Sequence, residues 1–305
     1  TANGVITGGN NILMGCKTAA GLTSGTYNIA LGAMALGQGV VTGNNNIALG
    51  QCAGCCMTSG YCNVFMGVQA GKKTTTGYDN IAFGTCALTG GGNITGCENI
   101  ALGKEAGCNL TSGKRNFIVG YRSMGSGGST GDENVAIGIE ALRWITSGGC
   151  NIALGASSGS NRTTGSHNIT LGSNAGQADD DGAYQVFMGY RAGFCMQGDT
   201  NIAIGKCALA GSTTASNNTG TDNLVIGMDA GHSNTSGTQN IFLGRQAGNT
   251  NTSGSRNIAI GYDVELPSAT GSDQLAIGCA ASRWISGDSS FNVTLAGIAT
   301  ATASG

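Results

Sequence analysis

The side chains able to do chemistry are few, and sulfur leads them. Twelve cysteines occur in the chain, and Cys52, Cys55, Cys56 and Cys62 fall close together. Cys52-x-x-Cys55 has the spacing of half a zinc site, but no second CxxC completes it. An even cysteine count in a fibre-like chain points to disulfides and an oxidising location, with Cys52, Cys55, Cys56, Cys62, Cys86, Cys97 and Cys108 as candidates. Free buried thiols filling core space are the alternative. The two histidines, His167 and His232, have no Ser or Cys partner at a spacing that builds a catalytic relay. No carboxylates are paired as a glycosidase requires. The run Asp179-Asp180-Asp181 could hold Ca²⁺ but reads as a solvated corner. Trp144 and Trp284 lie in related segments, LRWITSG and SRWISG, and either contact a glycan or partner or cover a gap in the core. Sequons place candidate glycosylation at Asn93, Asn109, Asn161, Asn217, Asn234 and Asn251. The expectation is a non-enzyme that needs no cofactor and no metal.

Composition narrows the classes further. The 305 residues include 56 glycines and one proline, against a usual glycine share of about 7%. Glycine has no three-residue period, which excludes collagen. Charged residues make up 10%, and 14 basic against 16 acidic groups give a net charge of −2. That balance offers no footprint for nucleic acid or an anionic membrane. No apolar run reaches the 18 or so residues that span a bilayer. The chain opens TANGVITGG, without a visible signal peptide or an initiator Met, which suggests a processed or excised product.

What must position these groups is a repeat. A pentad, ideally Asn-apolar-small-apolar-Gly, starts 17 times from Asn11 to Asn292, with Gln185 and Gln274 in place of Asn, at spacings of 16 to 22 residues that are mostly 17. The full row reads N-I-A-L-G-x-x-A-G-x-x-x-T-S-G-x-x, as in Asn99 to Arg115. Such a row holds two short strands and two turns, and cannot bury its own apolar face, so copies must stack. The expected fold is all-β: a parallel β-solenoid (β-roll or β-helix) of about 17 rows, one domain over 1–305. Rows about 4.8 Å apart would make a rod of roughly 80 Å. The first position then becomes a ladder of stacked amides through Asn28, Asn46, Asn63, Asn80, Asn99, Asn116, Asn134, Asn151 and Asn168, each bonding to the next.

Alternation at period two puts positions two and four on one face, expected to be the core, and position three on the other. Yet position three is never charged: Ala30, Ala48, Phe65, Ala82 and Ala101 are typical. Apolar character on both faces implies that both are covered. A homo-oligomer, most simply a trimer, would cover the second face; a wider coil that turns position three inward is the alternative. Position nine is usually Gly, and rows with Leu or Met there (Leu36, Leu88, Met124, Leu209) are longer, except that of Leu142, which has 17 residues. Adjacent rows never share a cysteine column, so bridges would have to cross a corner or join chains. No polar cap is visible at either end, and Ala303-Ser304-Gly305 followed by Thr1-Ala2-Asn3 would continue the repeat in phase, suggesting a head-to-tail filament.

The blocks NIALGKEAGCNLTSGKRNFIVG and NIAIGYDVELPSATGSDQLAIG resemble repeats of phage tail-fibre and appendage proteins. They are also similar to the head repeats of trimeric autotransporter adhesins, whose repeat of about 14 residues is shorter and which normally lack cysteine. The resemblance implies a β-roll and a fibre role. The function expected is thus a self-assembling, non-catalytic structural subunit of an extracellular or virion fibre. Two other classes stand beside it: a glycan- or receptor-binding adhesin module, and an ice-binding protein built on the recurring Thr.

Overall fold

The computed structural model describes residues 7–37, 39–178, 181–212, 218–280, 282–290 and 292–296. It contains no helix among them. The chain divides into two compact units, Thr1–His167 and Asn168–Gly305. Each is a parallel β-solenoid of about 17-residue rows.

In the first unit, nine three-residue strands run from β1 (Ile12–Met14) to β9 (Ile152–Leu154). Each pairs in parallel with the next and in a fixed register, Ile12 beside Ile29, Ile47 beside Val64, Ile137 beside Leu154. The second unit repeats this from β10 (Ile169–Leu171) to β16 (Leu275–Cys279). Glycine at position five makes the first corner possible. Gly50 has φ 135°, and a Cβ there would lie 2.5 Å from the carbonyl oxygen of Gly67 in the next row. Only glycine takes that conformation against a backbone so near. Where rows are longer, isolated parallel bridges restore the register on the far side, Leu22 to Val41 and Thr74 to Ile94.

The core reverses the expected faces. Position three is buried in every row from Ala30 to Ala276, while no side chain at positions two and four is buried. The coil therefore supplies its own cover for the small column, and the wider-coil alternative is the one realised. The reason is volume: the interior also receives position eight (Ala35, Ala53, Ala70), position nine and position twelve (Leu22, Met57, Leu110). Two Ile/Leu columns would not fit beside them. Filling is shared between rows. A large Phe65 meets Gly54 and Gly71, whose added Cβ atoms would lie 3.0 and 2.6 Å from its ring. A small Ala82 instead shares its row with buried Leu88.

The last repeat also departs from expectation. After β16, strands β17 (Ser282–Gly287) and β18 (Val293–Leu295) run antiparallel. The described residues form sixteen parallel strands, about fifteen turns, instead of 17 rows. Asn292 is exposed and bonds Asp288 instead of continuing the ladder. The antiparallel strands occupy the edge of β16 that another parallel row would need. The residues of the proposed in-phase junction, Thr1 and Gly305, lie outside those described.

Candidate interaction surface and its supporting ladders

The geometry of the surface starts from the buried amides behind it. In the first unit each ladder Asn makes the same bonds. Asn99 Nδ2 donates to Asn80 Oδ1 (3.0 Å) and to the Gly113 carbonyl (2.9 Å), while its own N–H donates to Asn80 Oδ1 (3.0 Å). Its Oδ1 accepts both N–H and Nδ2 of Asn116 at 3.0 Å. Asn28, Asn46, Asn63, Asn80, Asn116, Asn134 and Asn151 hold the same pattern. In the second unit Asn168 Nδ2 donates to the Gly182 carbonyl (2.9 Å) and its Oδ1 accepts Gln185 N–H (2.9 Å). The amide ladder fixes where each strand begins, and so holds the strand face in register.

That face is apolar along its whole extent. Positions two and four of the sixteen parallel rows carry only Ile, Leu, Val, Met or Phe, and every one of them is partly exposed. Same-column neighbours about 4.8 Å above and below limit how much of each can be seen. Interior members such as Met66 and Leu154 thus show 38% and 37%, while Met14 in the first row shows 68%. In the first unit the stripe covers on the order of 400 Å², from nine rows about 4.8 Å apart and a width of about 10 Å. The largest apolar patch on a typical soluble monomer is about 300–600 Å² and is often functional. The face survives the change of strand direction: Ile277 is paired with Ile285 and Ile285 with Leu295. Charges keep to the corners, as in Arg115 with Glu133 (2.8 Å) and Arg122 with Glu105 (2.6 Å).

The sequence candidates distribute as follows. All twelve cysteines are free, so Cys52, Cys55, Cys56, Cys62, Cys86, Cys97 and Cys108 form no bridge within the chain. The physical reason is column spacing: Cys52 and Cys86 share position seven but stand two rows apart, about 9.6 Å. Of the bridges that argued for an oxidising location, only those that would join chains are left. Among the described residues no group of three His, Cys, Asp or Glu is placed to hold a metal. Trp144 and Trp284 are 43% and 62% exposed, so neither covers a gap in the core; Arg143 lies 5.0 Å from the Trp144 ring. Asn234 and Asn251 are fully buried and cannot accept glycan. They form a second ladder at position twelve, Asn251 Nδ2 to Asn234 Oδ1 at 2.8 Å. Sequence reasoning missed it, although Asn at matching positions of adjacent rows was the available signal. Asn109 donates its amide to Gly125 (2.7 Å), Asn93 and Asn161 are exposed, and Asn217, Asp179 and Asp180 lie outside the described residues. The Thr hydroxyls that ice binding would use donate to carbonyls of the next row, Thr58 to Thr75 and Thr146 to Thr163.

No family model, no curated protein and no solved structure matches the chain.

Proposed function

We propose that the protein is a non-catalytic structural subunit of an extracellular or virion-surface fibre, and that it self-associates through the outward strand face. The observation that carries this reading is the apolar stripe at positions two and four within each unit, with no charge at those positions in any of the sixteen parallel rows described. A second copy supplies a surface of the same chemistry and the same row spacing, so side chains of one column fit between those of another. The ladders and the Ala/Phe core hold the rows of each unit in register.

Sedimentation of wild type against Ile100→Glu with Leu102→Glu tests the reading. Wild type is expected to associate in the micromolar range, and the double variant to remain monomeric with unchanged circular dichroism. A wild type that stays monomeric throughout that range overturns it. A second reading, recognition of a surface glycan by Trp144 and Trp284, is favoured by the exposure of both indoles. Equal glycan-array binding by wild type and by Trp144→Ala with Trp284→Ala would exclude it.

A further inference from the structure

We propose that Cys55 and Cys56 form a dithiol site for a soft trivalent centre, specifically a monosubstituted arsenic(III) compound. Their sulfurs lie 3.9 Å apart. On a pyramidal arsenic(III) centre, two thiolates bound at about 2.3 Å with an S–As–S angle a little above about 90° stand roughly 3.3–3.4 Å from each other, so the pair chelates after closing by about 0.5 Å. One carbonyl of the adjoining row fixes both residues: Lys72 O accepts the Cys56 N–H at 3.0 Å and faces Cys55 Sγ at 3.8 Å. Cys55 is 3% exposed and Cys56 is half-buried, so reagent meets Cys56 first and closes the ring on Cys55.

The chemistry selects the ligand. Thiolates favour soft centres. A tetrahedral zinc ion would want further ligands, and no third His, Cys, Asp or Glu is placed with the pair among the described residues. An arsenic(III) centre carrying one organic group needs two sulfurs only. Burial, with neighbouring Cys56 and Cys52, pushes the Cys55 thiol up to about 12, so it is protonated at neutral pH. A bare cation must expel that proton, whereas an arsenic(III) hydroxide brings its own acceptor. In R–As(OH)₂ + 2 RSH → R–As(SR)₂ + 2 H₂O, two As–O bonds break and two As–S bonds form. Each thiol proton leaves with a hydroxide as water, and no atom changes oxidation state.

The test uses phenylarsine oxide on the native, fully reduced chain, followed by intact mass and peptide mapping. One adduct per chain is expected at equimolar reagent, spanning Cys55 and Cys56, resistant to excess monothiol and removed by a dithiol. Cys55→Ser and Cys56→Ser should each weaken binding on the order of 10²-fold, the loss of a second intramolecular attachment. Cys52→Ser should bind as wild type does. Cys56→Ala, at a half-exposed position, keeps the test valid if Cys55→Ser fails to fold. Wild-type affinity in Cys56→Ser and Cys56→Ala, an adduct on other cysteines, or an equal loss in Cys52→Ser overturns the assignment.

Discussion

Replacing Asn99 by Ala isolates what one rung of the ladder contributes. The change removes the two donations of Nδ2, to Asn80 Oδ1 and the Gly113 carbonyl, and the two bonds accepted by Oδ1 from Asn116. Asn80 Oδ1 keeps the Asn99 N–H, and Asn116 Nδ2 keeps Gly131. Two buried groups lose these partners, the Asn116 backbone N–H and the Gly113 carbonyl. Each orphaned buried group costs about 1–3 kcal/mol, so the substitution should destabilise by about 2–6 kcal/mol. Exposed Asn93→Ala should stay within about 0.5 kcal/mol. Repeat proteins can unfold in stages, so a global midpoint alone is a poor measure. Urea unfolding should therefore be joined to hydrogen exchange read at the Asn116 amide. Loss below about 1 kcal/mol, with unchanged protection of that amide, would refute the ladder argument.

Core filling predicts a size exchange. Gly71→Ala should cost about 1–3 kcal/mol by overpacking against Phe65. Phe65→Ala should cost about 3–5 kcal/mol, and Phe65→Ala with Gly71→Leu, which copies the Ala82/Leu88 row, should recover much of the loss in a denaturant double-mutant cycle. Alkylation of unreduced protein should modify all twelve cysteines on unfolding, with exposed Cys16, Cys62, Cys150 and Cys279 reacting first in the native state. The Arg122 guanidinium beside Glu105 holds that carboxyl below its usual range. Its stabilisation is thus present at neutral pH and fades as pH falls below the ordinary carboxylate range. Melting of Glu105→Gln should show a shallower loss on acidification than wild type.

Period-two alternation, the glycine corners and the recurrent Asn made the stacked rows and the amide ladder legible in the sequence. Which strand face looks inward was not legible from the strand alone. The pentad offers Ile and Leu on one side and Ala on the other, and hydrophobicity by itself favours burying the larger pair. What decides is the room left by positions eight, nine and twelve, which arrive from the other side of the coil and become visible only once the row closes. Asn234 and Asn251 illustrate the same limit, since a sequon at a corner and an Asn in a second ladder read alike. The antiparallel β17 was equally hidden. SRWISG shares Arg-Trp-Ile followed by a hydroxyl residue with LRWITSG, where Trp144 donates its backbone N–H to the Ser160 carbonyl of the next row. In β17 the same string pairs antiparallel with β16.

The native methionines report the central claim directly. Met66 and Met188 stand on the outward strand face, whereas Met57, Met124 and Met196 are fully buried in the coil. Peroxide oxidation of dilute, monomeric protein, read by peptide mass spectrometry, should convert Met66 and Met188 to sulfoxide well before the other three. Protection of Met66 and Met188, with rapid oxidation of Met57, Met124 and Met196, would mean that the strands face the other way and would contradict the account.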